Sequence, residues 1–318
     1  MTRIQPTSAI AVALVLGVSL ASAGCGKYSW SALKAQKAYK EANDLYRAQD
    51  WKAAAAKYEY ALQADPNKAE IYFFLGNSYD NMFKVSRVGE PENDAAIQKA
   101  IANYEKAAER APDPLIKKRA LQYLVSAYGS EKLNDPAKAE PIVQKMVNLE
   151  PNDPENYFAL TKIYEEAGKY DEAEQALQKA VAAKPNDPAV YSTASNFYNR
   201  QGNFDKTIEM LNKAAELDPN NPSGYQLVAA MYWEKASKDH RLSEPQKRAY
   251  VESGLKNSEK ALSLNPTYVD ALVYKGLLIR VIADIEKDRK KQVEMLDEAA
   301  SLQKKALELR KTKATGAS

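Results

Sequence analysis

The sequence predicts an all-α solenoid of about seven helix pairs, because three features recur in phase along it. A proline returns at Pro66, Pro112, Pro151, Pro185, Pro219 and Pro266. Tyrosines stand six residues after it (Tyr72, Tyr157, Tyr191, Tyr225) and thirteen after it (Tyr79, Tyr164, Tyr198, Tyr232), and alanines five before it (Ala61, Ala107, Ala180, Ala214, Ala261). The junctions Pro151-Asn152-Asp153-Pro154, Pro185-Asn186-Asp187-Pro188 and Pro219-Asn220-Asn221-Pro222 each set an Asp or Asn cap before a proline, whose missing N–H leaves no hydrogen bond unmade in the first helical turn. The base period of 34 residues belongs to stacked units that bury their apolar faces only against neighbours.

Residues 1–24 differ from all that follows. Arg3 gives a positive start, Ala9 to Leu20 is almost wholly apolar, and Ala21-Ser22-Ala23-Gly24 is a run of small residues. This is the pattern of a secretory signal peptide, too short for a comfortable membrane span. Cys25, the only cysteine, follows at once. The segment resembles a bacterial lipoprotein signal, which implies that Cys25 becomes the acylated first residue of the mature protein and that 25–34 is anchor and tether. Gly26 after the cysteine implies outer-membrane sorting. The pattern departs from the lipoprotein form in having Ser22 three places before the cysteine, and ordinary cleavage after Ala23 would instead leave Cys25 a free thiol. A lone exported thiol invites oxidation, which favours the lipoprotein.

The units in order are 35–68, 69–114, 115–153, 154–187, 188–221, 222–268 and 269–311, followed by a disordered tail at 312–318. The fourth shows the logic. Tyr157, Leu160, Thr161 and Tyr164 form a helical stripe, and Gly168 ends that helix. Asp171 is placed to cap the next, with Glu174 as its capping-box partner, and Ala173, Leu177 and Ala180 form the second stripe before Pro185. Three units are longer. Lys84 to Asn93 reads as a loop, Ser243-Glu244-Pro245-Gln246 as a capped early start to a second helix, and 268–311 as two unusually long helices. The extensions are either tolerated surface insertions or a second contact surface.

With a small residue and tyrosines in the first helix, alanines in the second and a closing proline, the pattern resembles the tetratricopeptide repeat family. The resemblance covers about 35–311, with Leu272, Ile279 and Lys311 departing from it in the last unit. It implies a right-handed superhelix whose first helices line a concave groove for a protein segment. The basic clamp by which some members hold a terminal carboxylate is absent, since Tyr39 stands where its first lysine should be.

Charge and motifs exclude more than they assign. The 45 basic and 42 acidic residues are interspersed, and no basic run points to nucleic acid. One His, His240, and one Cys do not make a His/Cys metal site, and no phosphate loop or nucleophile elbow occurs, so no cofactor, small-molecule substrate or catalysis is expected. An enzyme acting on polysaccharide would need a buried carboxylate pair, whereas Glu165, Glu166, Glu172 and Glu174 fall on solvated faces.

Groove positions follow from the register: Tyr39, Asn43 and Arg47; Phe73, Asn77 and Asn81; Gln122, Tyr123 and Ser126; Phe158 and Lys162; Ser192, Asn196 and Arg200; Gln226 and Trp233; Val273 and Arg280. Asn43, Asn77 and Asn196 share one register position, where an amide offers a donor and an acceptor to a peptide, or simply fills a solvated site. Phe73, Phe158 and Trp233 are expected to be exposed anchors. The function expected is a non-catalytic, membrane-tethered scaffold of the cell envelope that holds a partner protein. The alternative is a soluble exported scaffold assembling with its own copies.

Overall fold

The computed structural model describes residues 30–314, so the signal-like segment and Cys25 lie outside the described residues. Helices follow one another in pairs, with no strand among the described residues. The pairs are α1 (Trp30–Arg47) with α2 (Trp51–Ala64), α3 (Ala69–Met82) with α4 (Pro91–Arg110), α5 (Pro114–Tyr128) with α6 (Pro136–Leu149), and α7 (Pro154–Glu166) with α8 (Tyr170–Ala183). Then come α9 (Pro188–Arg200) with α10 (Phe204–Leu217), α11 (Pro222–Lys238) with α12 (Glu244–Leu264), and α13 (Val269–Ala283) with α14 (Arg289–Ala314).

These residues form two compact units, one running through Pro151 and including Asn156–Glu174, the other made of Asn152–Glu155 and Gln175 onward. In the first, each helix from α1 to α5 packs on its successor, and α3 also meets α5. In the second, each helix from α9 to α13 does the same, and α11 also meets α13. Both longer-range contacts join first helix to first helix. The alanines of the repeat are the floor of these contacts: Ala54, Ala61, Ala100, Ala107 and Ala261 are fully buried, and Ala173 and Ala180 on α8 are buried as well.

Local chemistry explains the phase of the repeat. The Tyr157 hydroxyl donates to the Pro151 carbonyl at 3.0 Å, and Tyr191 to Pro185 at 2.9 Å, so the tyrosine six residues after each proline closes the turn that the proline opens. The later tyrosine reaches the preceding pair, as Tyr164 does in donating to Glu140 on α6 at 2.9 Å. Asp113, Asp187 and Asn221 accept from the N–H groups of Leu115, Ala189 and Ser223, at 2.8, 3.0 and 3.0 Å, capping α5, α9 and α11 ahead of their prolines. Gly168 and Gly202 end α7 and α9 at φ +73° and +68°, a left-handed conformation that costs glycine little.

Several expectations need correction. The first helix begins at Trp30, inside the stretch read as a tether, and α14 runs through Ala314, so 312–314 continues a helix. Lys84 to Asn93 is not a loop throughout: it holds a 3₁₀ turn (Val85–Arg87), and after three further residues α4 begins at Pro91. Asn93 is buried and pins that turn, accepting from the Lys84 N–H at 2.7 Å and donating to its carbonyl at 3.0 Å. The segment 268–311 holds one long helix rather than two. Asp288 accepts from the Lys290 N–H at 2.9 Å and starts α14, while the Gln292 side chain satisfies the Ala283 carbonyl at the end of α13. Asp171 lies within the first turn of α8, where its charge suits the helix dipole, and is not the cap.

The Ser243 capping expectation holds, with Gln246 Oε1 accepting from the Ser243 N–H at 2.9 Å. All three extensions share one outcome. The second helices of the long units run 20, 21 and 26 residues, against 14 in α2 and α10.

Candidate functional site

The first-helix face of the first unit is built around rings. Tyr58, fully buried on α2, stacks on Phe74 with centroids 6.1 Å apart; on α1, Tyr39 tilts against both rings and Tyr46 meets both edge-on. Farther on, Phe73 lies edge-on to Tyr123 at 5.4 Å, and Tyr104 is 5.3 Å from Tyr123. Small residues permit this close approach. A Cβ on Gly76 would stand 2.8 Å from the Tyr104 ring and 3.1 Å from the Ala100 carbonyl.

Asparagines wire the rings together. Asn43 accepts from the Tyr58 hydroxyl at 2.7 Å, and Asn77 accepts from Tyr46 at 2.7 Å while its amide donates to Tyr104 at 3.5 Å. Asn81 donates to Asn77 Oδ1 at 2.9 Å. Tyr104 donates to Asp80, which is also paired with Lys132. Burial, aided in several cases by a neighbouring carboxylate or tyrosine, holds the hydroxyls of Tyr39, Tyr46, Tyr58 and Tyr104 above the ordinary tyrosine range.

Placement sorts the expected groove residues into three classes. Phe73 and Asn77, each 5% exposed, and Gln226, 8% exposed, are interior, which corrects the expectation that Phe73 is an exposed anchor and that Asn77 is free to meet a partner. Tyr39, Asn43, Asn81, Phe158, Ser192, Trp233 and Val273 are half-buried; Trp233 rests edge-on against Tyr274 at 5.7 Å and so is not an open anchor. Arg47, Gln122, Tyr123, Ser126, Lys162, Asn196, Arg200 and Arg280 face solvent. Arg47 pairs with Asp44, and Arg280 donates to Gln303 at 2.7 Å.

The solvent-facing class gathers at one place in the first unit. A pocket of about 230 Å³ opens between α5 and the 156–166 stretch of α7, lined by Gln122, Ser126, Ala159 and Lys162 and closed by the turn after α5 at Ser130 and Asn134. Ser130 donates to Glu166 at 2.7 Å, and Lys162 stands 3.7 Å from the same carboxylate. Amide, hydroxyl, ammonium and carboxylate groups beside Val125, Ala159 and Ile163 supply donors, acceptors and an apolar surface suited to a peptide. Sequence reasoning missed Ser130 and Asn134 because they lie in the turn past the end of α5, and it read Glu166, the last residue of α7, only as a solvated carboxylate. In the second unit His240 is exposed between α11 and α12. Among the described residues no three His, Cys, Asp or Glu side chains gather as a metal site, and no helix is long and apolar enough to cross a membrane.

Comparison with known proteins places this geometry. Family models described as tetratricopeptide repeat match residues 39–80, 131–197 and 164–231. The C-terminal part of a TPR repeat-containing protein from Cytophaga hutchinsonii shares the fold, with a TM-score of 0.56 at 17% identity over 85% of this chain and 98% of that one. A tetratricopeptide repeat protein from Parabacteroides merdae aligns at 14% identity and a TM-score of 0.46, over 84% of this chain and 99% of that one. YrrB, described as a TPR protein with an unusual peptide-binding site, aligns at 25% identity and 0.39, over 57% and 85%. A search of curated protein sequences gives no match. Tetratricopeptide repeats are thus matched over residues 39–80 and 131–231, and the fold is the all-α arrangement of helix pairs expected from the sequence.

Proposed function

We propose that this chain is a non-catalytic scaffold of the bacterial cell envelope that holds a segment of another envelope protein against its first helices. A tetratricopeptide repeat fold supports a protein or peptide partner in general. The observation that carries the finer reading is the pocket between α5 and α7, where Gln122, Ser126 and Lys162 present unlike polar groups beside an apolar lining of Val125, Ala159 and Ile163. Peptide segments are held by a few such convergent polar groups beside an apolar surface. Burial of Phe73 and Asn77 moves the expected contact away from α3 and onto α5 and α7.

The envelope setting rests on the apolar segment Ala9 to Leu20 and on Cys25 directly after the small-residue run. Acylation of Cys25 separates this reading from a soluble exported scaffold that assembles with itself; the latter draws on exposed Val293, Leu296 and Leu307 along α14.

The test is a crosslinked pull-down from intact cells with mass spectrometry, comparing wild type with a Gln122→Ala, Tyr123→Ala, Lys162→Ala variant of unchanged helicity. An envelope protein captured by wild type and lost from the variant supports the reading. Equal capture by both overturns the α5–α7 surface as its seat.

A further inference from the structure

The first helix pair leaves an apolar face uncovered. Trp30 is 72% exposed, Leu33 52% and Tyr60 50%, around a recess of about 450 Å³ that α1 and α2 also line with Lys34, Lys37 and Lys57. Trp30 and Leu33 lie three residues apart on one side of α1. Single exposed apolar residues are ordinary, but three large ones around one recess mark an interaction surface.

Charge narrows the occupant. The recess holds three lysines and one carboxylate, Glu41, which lies 2.6 Å from Lys57 and 4.0 Å from Lys37. Lys34 Nζ sits 5.6 Å from the Trp30 ring centroid. A tryptophan and a tyrosine with apolar bodies and polar edges, rimmed by lysines, is the composition of a membrane-water interface. A second copy stacked end to end fits poorly. The recess of the last pair is lined by Arg280 and by Arg310, which holds Asp270 at 3.4 Å, so stacking sets the three lysines against a lining with no carboxylate of its own.

Chain length adds a constraint. Cys25 precedes Trp30 by five positions. An extended chain spans at most about 3.6 Å per residue, so a lipid on Cys25 would hold Trp30 within roughly 18 Å of its anchoring point.

We infer that the Trp30, Leu33 and Tyr60 face rests on an anionic phospholipid surface, with its rings at headgroup level and Lys34, Lys37 and Lys57 against the lipid phosphates. The inference builds on the anchored reading of the proposed function. It adds a contact made by the folded repeat itself.

The native tryptophans provide the test. The full chain carrying Trp51→Phe and Trp233→Phe, exported in a bacterial host, keeps Trp30 as its only tryptophan. Mass spectrometry reads lipid on Cys25, and the protein is mixed with vesicles of brominated phosphatidylcholine, with or without phosphatidylglycerol. The expected result is Trp30 emission that shifts to the blue and is quenched several-fold more with phosphatidylglycerol present. Lys34→Glu with Lys37→Glu should remove that difference while an acylated protein still sediments with the vesicles. Acylated, vesicle-bound protein whose Trp30 stays unquenched overturns the contact and leaves the anchor standing. Unacylated protein whose Trp30 is still quenched on anionic vesicles supports the contact and overturns the anchor. Unacylated protein with no quenching overturns both.

Discussion

Asn77 and Asn196 occupy the same position of their repeats, one in each unit, and have opposite fates. Asn77 is buried and bonded to Tyr46, Tyr104 and Asn81, whereas Asn196 faces solvent. The residue across from it on the second helix makes the difference. Asn43 has Tyr58 there and Asn77 has Tyr104, but Asn196 has Leu211 at the position matching Tyr58. A tyrosine hydroxyl brings a polar partner into the interior and draws the amide in after it; leucine offers none, and the amide stays in water. Register alone therefore does not identify a groove residue, and the facing helix has to be read with it.

That comparison can be broken most forcefully at the asparagines. Asn77→Leu strands the Tyr46 hydroxyl and leaves Tyr104 only its bond to Asp80, and we expect a loss of about 1–3 kcal/mol. The matching Asn196→Leu should change stability by no more than about 0.5 kcal/mol. Denaturant melts of both variants check this, and equal losses would mean that burial does not separate the two sites.

Glycines sharpen it next. Gly76→Ala drives a methyl into the Tyr104 ring and towards the Ala100 carbonyl, and should cost about 1–3 kcal/mol. A Cβ on Gly276 meets nothing nearer than 3.4 Å, so Gly276→Ala should gain up to about 1 kcal/mol in helix propensity. Thermal melts of the two variants should move in opposite directions.

Alkaline pH probes the same network. Tyr104 is held above its ordinary range chiefly by burial, with Asp80 adding to it, so the folded state keeps a proton that the unfolded chain releases near pH 10. Its contribution is complete below that pH and is lost as pH rises towards the folded value. Tyr104→Phe should cost about 1 kcal/mol at pH 7 and make the fall in Tm between pH 9 and 11 shallower than in wild type. A parallel fall in both proteins would show that Tyr104 does not supply the pH dependence.

The smallest effect concerns a turn. Gln49 takes φ +60° at the repeat position where Gly168 and Gly202 stand, so Gln49→Gly should raise stability by about 0.5–1 kcal/mol in a denaturant melt. No gain would mean that the local hydrogen bonds fully offset that strain.

The fold was legible because its determinants are local and repeated. Proline, tyrosine and alanine act within one unit or on its neighbour, as the Tyr191 to Pro185 bond shows. The early helix starts at Pro91 and Arg289 were harder to read, since buried Asn93 and the Gln292 side chain settle them through contacts across a turn. The site was less legible than the fold. Register suffices to put Gln122, Tyr123, Ser126 and Lys162 on the solvent side, but it puts Phe73 there too, because the ring partners that bury it, Tyr104 and Tyr123, come from other helices. Trp30 and Tyr60 lie outside the groove register altogether.

The most direct test of the scaffold reading is photocrosslinking in intact cells from single positions. A photoreactive residue at Tyr123 or Lys162 should give one shared partner band, and the same residue at Tyr170, exposed at the start of a second helix, should give none. Equal labelling from all three positions, or labelling from Tyr170 alone, would contradict partner capture on the first helices.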